Sequence, residues 1–295
     1  MGFLACPTIT RLRGLAISGI AGSKSTSACL GLKAKMNNTW ENLEKIIDDY
    51  IVGIRSELNA RWRQWRLDLT KPELHEVVAA LIARQVSLAT QLAGSPGIWN
   101  AHIAPILLRS MTDVYITLAW ILKDPIERSR KFILYGLGQH KLMLEHRREA
   151  LTTEGKDPTQ DPMIKASEAW LNAQRFEFLT EVNVGSWSET RVREMAEQAD
   201  CLDLYRYAYI PFSAATHSMW HHISRLNLEV CENPLHRYHK VPIDPDFSPD
   251  PDYLYRGAKY VEKSFTLFDQ TFSVKSGIAS SFEKLADELA RLGEL

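Results

Sequence analysis

Residues 103–123 read IAPILLRSMTDVYITLAWILK. Turned at roughly 100° per residue, the segment is apolar on nearly every side. Leu107, Val114 and Leu118 share one face, and Leu108, Tyr115 and Leu122 share another. A helix that is apolar all round needs partners all round, so it belongs at the centre of a larger core. Two charges interrupt it. Arg109 and Asp113 stand one helical turn apart, and Ile116 and Trp120 continue their stripe. A lone buried guanidinium is costly, so Arg109 must pair with Asp113 or with a group across the core. Such a pair either orders helix packing and does nothing more, or keeps donors for an anion whose oxygens match the planar fork.

The remaining pattern is helical too. Thr70 with Glu73 brackets Pro72, and Asp124-Pro125-Ile126-Glu127 sets a cap, a first-turn proline and a reciprocal acid in order. Asp161-Pro162 and Ser186 with Glu189 repeat the idea, each offering a side-chain oxygen to unpaired first-turn amides. Apolar residues recur at three and four rather than two, and alternating Val/Ile/Thr runs are almost absent. The spacing predicts an all-α chain, a bundle of about eight helices around a buried polar centre. They fall near 38–66, 71–93, 100–123, 125–152, 161–183, 187–199, 202–229 and 252–292. Residues 232–251 carry Pro234, Pro242, Pro245, Pro249 and Pro251 and read as a long loop, functional or mobile rather than incidental.

The net charge of −1 is a sum of unlike parts. Residues 1–35 hold Arg11, Arg13, Lys24, Lys33 and Lys35 and no acid, while the remainder is acidic on balance. That excludes a broadly nucleic-acid-coating surface. The head suits a transit-type peptide, a poor secretory signal or an extension upstream of a start at Met36. The last is favoured, because Asn38 and Glu41 form a capping-box signature directly after Met36. The expected division is therefore an unstructured or extraneous 1–35 and a single helical domain, 36–295. No run of about 18 apolar residues occurs, so no membrane span is expected. The four cysteines, Cys6, Cys29, Cys201 and Cys231, lack C-x-x-C spacing and fit a reducing, cytoplasmic setting.

A second polar stripe lies in residues 202–229. Tyr205, Tyr209, Ser213 and His217 are spaced by four, and Pro211 interrupts them. Proline removes an amide from the helix, so a kink is expected, and a kink beside hydroxyls and an imidazole opens a polar niche. His217 is the candidate acid or base, or else a satisfied core histidine. Tyr209 and Ser213 orient it or bind substrate, or the tyrosines simply pack by their rings. His217 and His221 also form an H-x3-H pair, but no carboxylate stands at an obvious third position and no metal is expected. Tyr135, Gln139 and His146 share a face of the fourth helix and are candidates to border the same niche.

Weaker signals remain. Arg61-Trp62-Arg63-Gln64-Trp65-Arg66 interleaves bases with aromatics, which suits nucleic acid or, more plainly, a core-facing aromatic pair with solvated arginines. His236-Arg237-Tyr238-His239-Lys240 is a basic aromatic run, either a lid or a plain surface loop. No Gly-rich phosphate loop, nucleophile elbow or other cofactor-binding motif is present, and no cofactor is expected.

The Arg109–Asp113 helix, followed by Tyr-x3-Tyr-x3-Ser-x3-His at Tyr205, Tyr209, Ser213 and His217, resembles a bacterial family catalogued as domain of unknown function 5677. The resemblance covers roughly residues 90–230 and implies a helical fold more than an activity. Family members usually carry Glu where this chain has Asp113. The layout is similar, more loosely, to the helical HEPN class of prokaryotic ribonucleases and nucleotide-binding proteins. That class's nuclease motif, Arg followed after four to six residues by His, is absent at all nine histidines.

The leading functional expectation is a ligand module for a small anionic or nucleotide-type molecule in prokaryotic stress or defence. Arg109, Asp113, Tyr205, Ser213 and Tyr135 would bind the ligand, with a homodimer left open. An alternative is a metal-independent ribonuclease acting on RNA. There His217 is general base, Arg109 stabilises charge and Tyr209 assists. A third is a structural or interaction protein whose polar centre only locks the fold.

Overall fold

The structure, a computed structural model, describes residues 26–174, 188 and 190–293. By internal contacts the chain divides into two units, Met1–Glu44 and Lys45–Leu295. Of the first unit, the described part is helix, the opening of α1 (Thr26–Gln64). The helix expected to start at Asn38 therefore runs on from Thr26, and Asn38 lies inside it. No proline or helix-ending glycine motif intervenes to stop it. The rest of the expected 1–35 extension lies outside the described residues.

The second unit is essentially all-α. After the last part of α1 come α2 (Pro72–Ala93), α3 (Ala104–Ile121), α4 (Pro125–Thr153), α5 (Pro162–Asn172) and α6 (Val192–Gln198). Then follow α7 (Leu202–Leu204), a π-helical turn (Tyr205–Tyr209), α8 (Ile210–Thr216) and α9 (Trp220–Leu226). A short antiparallel hairpin, β1 (Leu228–Val230) and β2 (Lys240–Pro242), precedes α10 (Asp252–Phe272) and α11 (Ser281–Gly293). Among the described residues, no helix is long and apolar enough to cross a membrane.

The segment that is apolar all round takes the central place. Helices α2, α3 and α10 pack on one another, and α3 also receives α6, the π-turn and α8. Leu108, Met111, Ile116, Leu118 and Ile121 of α3 are fully buried. Buried Gln85 ties the three helices together: its Nε2 donates to the carbonyls of Met111 and Tyr260, both at 3.2 Å, and lies 3.3 Å from Ser264 Oγ. Helices α2 and α10 touch at Gly257, where a Cβ would come within 2.6 Å of Leu92 Cδ2.

An ionic knot joins α1, α10 and α11. Arg61 donates from Nε and Nη2 to the two carboxylate oxygens of Asp269 at 2.9 and 2.8 Å, and from Nη1 to Glu57 at 3.0 Å. Glu57 also accepts from the Ser281 amide at 2.8 Å, and the guanidinium lies 4.0 Å above the Phe265 ring. Arg61 is thus an internal ion-pair partner, whereas Arg63 and Arg66 are exposed. Trp65 packs against His75, Phe268 and Phe272, and Trp62 stays half-exposed. Of the two readings of this basic aromatic run, the core-facing one describes Trp65, and Arg61 departs from both.

Two long helices expected from the sequence are broken, for identifiable reasons. Residues 202–229 form α7, the π-turn, α8, α9 and β1 rather than one helix. Pro211 has no amide to give, and the preceding turn widens so that Ile210 N donates to Tyr205 O. Three further ends share one geometry. Asp200, Ser218 and Ser273 adopt left-handed φ of 55°, 48° and 53°. The amides that follow them reach five residues back: Cys201 to Ala196, Met219 to Ala214, and Val274 to Asp269, at 2.8–3.1 Å. This is the closure that usually carries glycine. It ends α6 and α8 and separates α10 from α11, which the sequence reading had joined over 252–292. Of the helix expected at 161–183, α5 is seen, and residues 175–187 lie outside the described residues.

Ser273→Gly should raise stability by about 1 kcal/mol, because a left-handed residue then loses its Cβ clash. Urea denaturation checks this. Arg61→Ala should lower it by about 3–5 kcal/mol, since two acids are left facing each other without their base.

Candidate functional site

The site is built where α8 crosses α3. Arg109 sits on the second turn of α3, is 9 % exposed, and cannot be satisfied by its apolar neighbours. Its Nη1 pairs with Asp113 one turn on. Its Nε donates to Ser213 Oγ at 2.8 Å, and its Cζ lies 3.2 Å from the centre of the Tyr209 ring. Ser213 in turn donates to the Tyr209 carbonyl at 2.7 Å, so its hydroxyl is held from both sides. Tyr205 stacks on Tyr209, with ring centres 4.9 Å apart and planes 26° apart. The π-turn sets this up by presenting both rings just before α8 starts.

The arrangement is closed on three sides and open on one. Nη2 of Arg109 has no partner among the described residues and is not an enclosed orphan atom. The Asp113 side chain is 45 % exposed, so solvent reaches the group from that side. Burial holds the Asp113 carboxyl above its ordinary value despite the arginine beside it. Burial likewise raises the Tyr209 hydroxyl, reinforced by Asp113 and opposed by Arg109, so it remains a neutral hydrogen-bonding group.

The structure thus brings Arg109, Asp113, Tyr205, Tyr209 and Ser213 together. It places His217 elsewhere, on the surface as the residue that closes α8, with its amide bonded to Ser213 O at 3.0 Å. No hydrogen bond of the His217 ring reaches Arg109. Because α8 ends there and α9 starts only at Trp220, His217 and His221 do not share a helix, and the H-x3-H pair has no common face. Tyr135 is half-buried on α4, which packs chiefly on α2 and α5. A separate apolar cleft of about 220 Å³ lies between α1 and α2 and is lined by Leu58, Trp62, Trp65, Ala79 and Ile82.

An all-α protein whose central helix carries an arginine clamped by tyrosine and serine from a second helix is the class that this geometry defines. Residues 75–234, more than half of the chain, match the family of unknown function DUF5677, and the chain belongs to that family. The match spans both helices of the clamp. No curated protein and no solved structure matches the chain.

Ser213→Ala removes the acceptor of a buried charged donor and should cost about 1–3 kcal/mol. Tyr209→Phe keeps the aromatic face under the guanidinium and should cost far less. Thermal unfolding of the two variants side by side checks the order.

Proposed function

We propose that the Arg109 centre binds a small anion of phosphate or carboxylate type, nucleotide monophosphates included. The observation that supports this is the open Nη2 edge of a guanidinium whose Nε, Nη1 and ring face are all occupied. An arginine held in this way has lost its rotamer freedom before a ligand arrives, so binding does not have to order it. Its planar edge can meet an anionic oxygen with charge-assisted hydrogen bonds. Tyr209 lies under the guanidinium with Tyr205 stacked on it, both half-buried, and we take their hydroxyls as candidates for a second oxygen of the ligand. Asp113 plays the opposing part. Its carboxylate satisfies Arg109 in the empty protein and competes with an incoming anion. Free thiols at Cys201 and Cys231 are in keeping with a reducing, cytoplasmic setting.

Calorimetric titration at low salt with inorganic phosphate and with adenosine monophosphate tests the reading. Arg109→Lys keeps the charge but loses the fork, and should weaken binding about tenfold or more. Asp113→Asn removes the competing charge and should tighten it. For the same reason, binding to the native protein should strengthen as pH falls through the raised Asp113 value, and this pH dependence should vanish in Asp113→Asn. Absence of phosphate or nucleotide binding in the native protein contradicts the proposal.

A further inference from the structure

The β1–β2 hairpin gathers chemistry that the Arg109 centre does not use. Its strands pair Leu228 with Pro242 and Val230 with Lys240, and the Cys231 amide extends the ladder to His239 O at 3.0 Å. Cys231 and His239 therefore face each other across the neck of the loop. Two successive turns fold the tip back: His236 N donates to Asn233 O at 3.0 Å, and His239 N to His236 O at 3.1 Å. Tyr238, at a left-handed φ of 63°, completes the reversal. The imidazoles of His236 and His239 end with centres 5.4 Å apart. Cys231 Sγ lies 3.6 Å from His236 Nδ1, and one ligand atom from each of Cys231, His236 and His239 falls within a 4.8 Å span.

We propose that Cys231, His236 and His239 form a binding site for a zinc-class divalent cation, with water in the fourth position. A thiolate and two imidazoles are donors that suit zinc and its borderline neighbours, and not calcium or magnesium. In a tetrahedral site with Zn–S of about 2.3 Å and Zn–N of about 2.0–2.1 Å, the sulfur–nitrogen edge is about 3.6 Å. The Cys231–His236 edge already has that length. The longer edges close by about an ångström, a movement open to an exposed loop tip. On binding, the Cys231 thiol proton passes to solvent and the sulfur becomes the ligand.

The surroundings fit. Asn233 lies 3.2 Å from His236 Nε2 and fixes its own turn by accepting from Leu235 N at 3.0 Å. Metal on Nδ1 leaves the proton on Nε2, which at this exposed loop tip is donated to water while Asn233 Oδ1 keeps its bond from Leu235 N. Cys201 does not compete. Burial pushes the Cys201 thiol up to about 11, which keeps it protonated at neutral pH. The sequence signal was the spacing C-x4-H-x2-H, which a search for paired C-x-x-C motifs passes over.

The test titrates tag-free, chelator-stripped full-length protein with zinc by calorimetry and with cobalt(II) by absorption. The expected result is one metal per chain and a cobalt spectrum with a thiolate charge-transfer band. Cys231→Ser should abolish that band and weaken zinc about 100-fold or more, as should His236→Ala or His239→Ala for zinc affinity, whereas Cys201→Ser should change neither. The three positions lie on an exposed loop, and melting curves of the metal-free variants confirm that they fold. No zinc binding, a cobalt spectrum without the thiolate band, or zinc affinity unchanged by Cys231→Ser overturns the proposal. Loss of binding on His221→Ala alone also overturns it, by placing the metal on the 217–222 histidines.

Discussion

A guanidinium on the most enclosed helix of a protein has to be satisfied from outside that helix. Arg109 meets this condition through Asp113 one turn on, through Ser213 of α8 and through the Tyr209 ring of the π-turn before it. Much of the local architecture follows. Ser213 can serve only if α8 crosses α3 at that height, and Tyr209 can lie under the guanidinium only if the chain arrives from the side that the π-turn provides. The widened turn before Pro211 is in this sense part of the clamp. π-Turns of this kind tend to persist where a function depends on them.

The two buried arginines among the described residues show two different solutions. Arg61 meets two carboxylates, one in bidentate geometry, along with a phenylalanine face, and every edge of it is matched by protein. That is the pattern of an internal tie, and it holds α1 to α10 and, through Glu57, to α11. Arg109 has a single carboxylate, itself nearly half-exposed, along with a neutral hydroxyl and an aromatic ring. Its positive charge is less fully matched, and its Nη2 has no partner among the described residues. The contrast separates a structural arginine from one suited to a ligand, even though both are buried.

The central helix was legible from residues 103–123 because an all-round apolar surface admits only one environment, and the Arg109–Asp113 pairing followed from the cost of burying a charge. The contact to Ser213 was visible as a shared stripe but not as a partnership, since periodicity orders residues along one helix and says nothing of the helix opposite. His217 extended that stripe only while α8 was assumed to continue. The left-handed ends at Ser218 and Ser273 carry no glycine, so the usual stop signal is missing and periodicity alone runs each helix on through them. The role of Arg61 is hidden for a related reason: its acid partner Asp269 lies 208 residues away, beyond anything local spacing reveals.

The central claim is that the Arg109 guanidinium is fixed by α8 with one edge left open. Nitrogen-15 arginine NMR of the native protein addresses it directly. The account predicts an Arg109 Nε–H signal that exchanges slowly with water and becomes fast in Ser213→Ala. Added phosphate should shift the Arg109 Nη resonances while leaving Nε nearly unmoved. An Nε–H that exchanges as fast as those of the surface arginines Arg63 and Arg66 would contradict it.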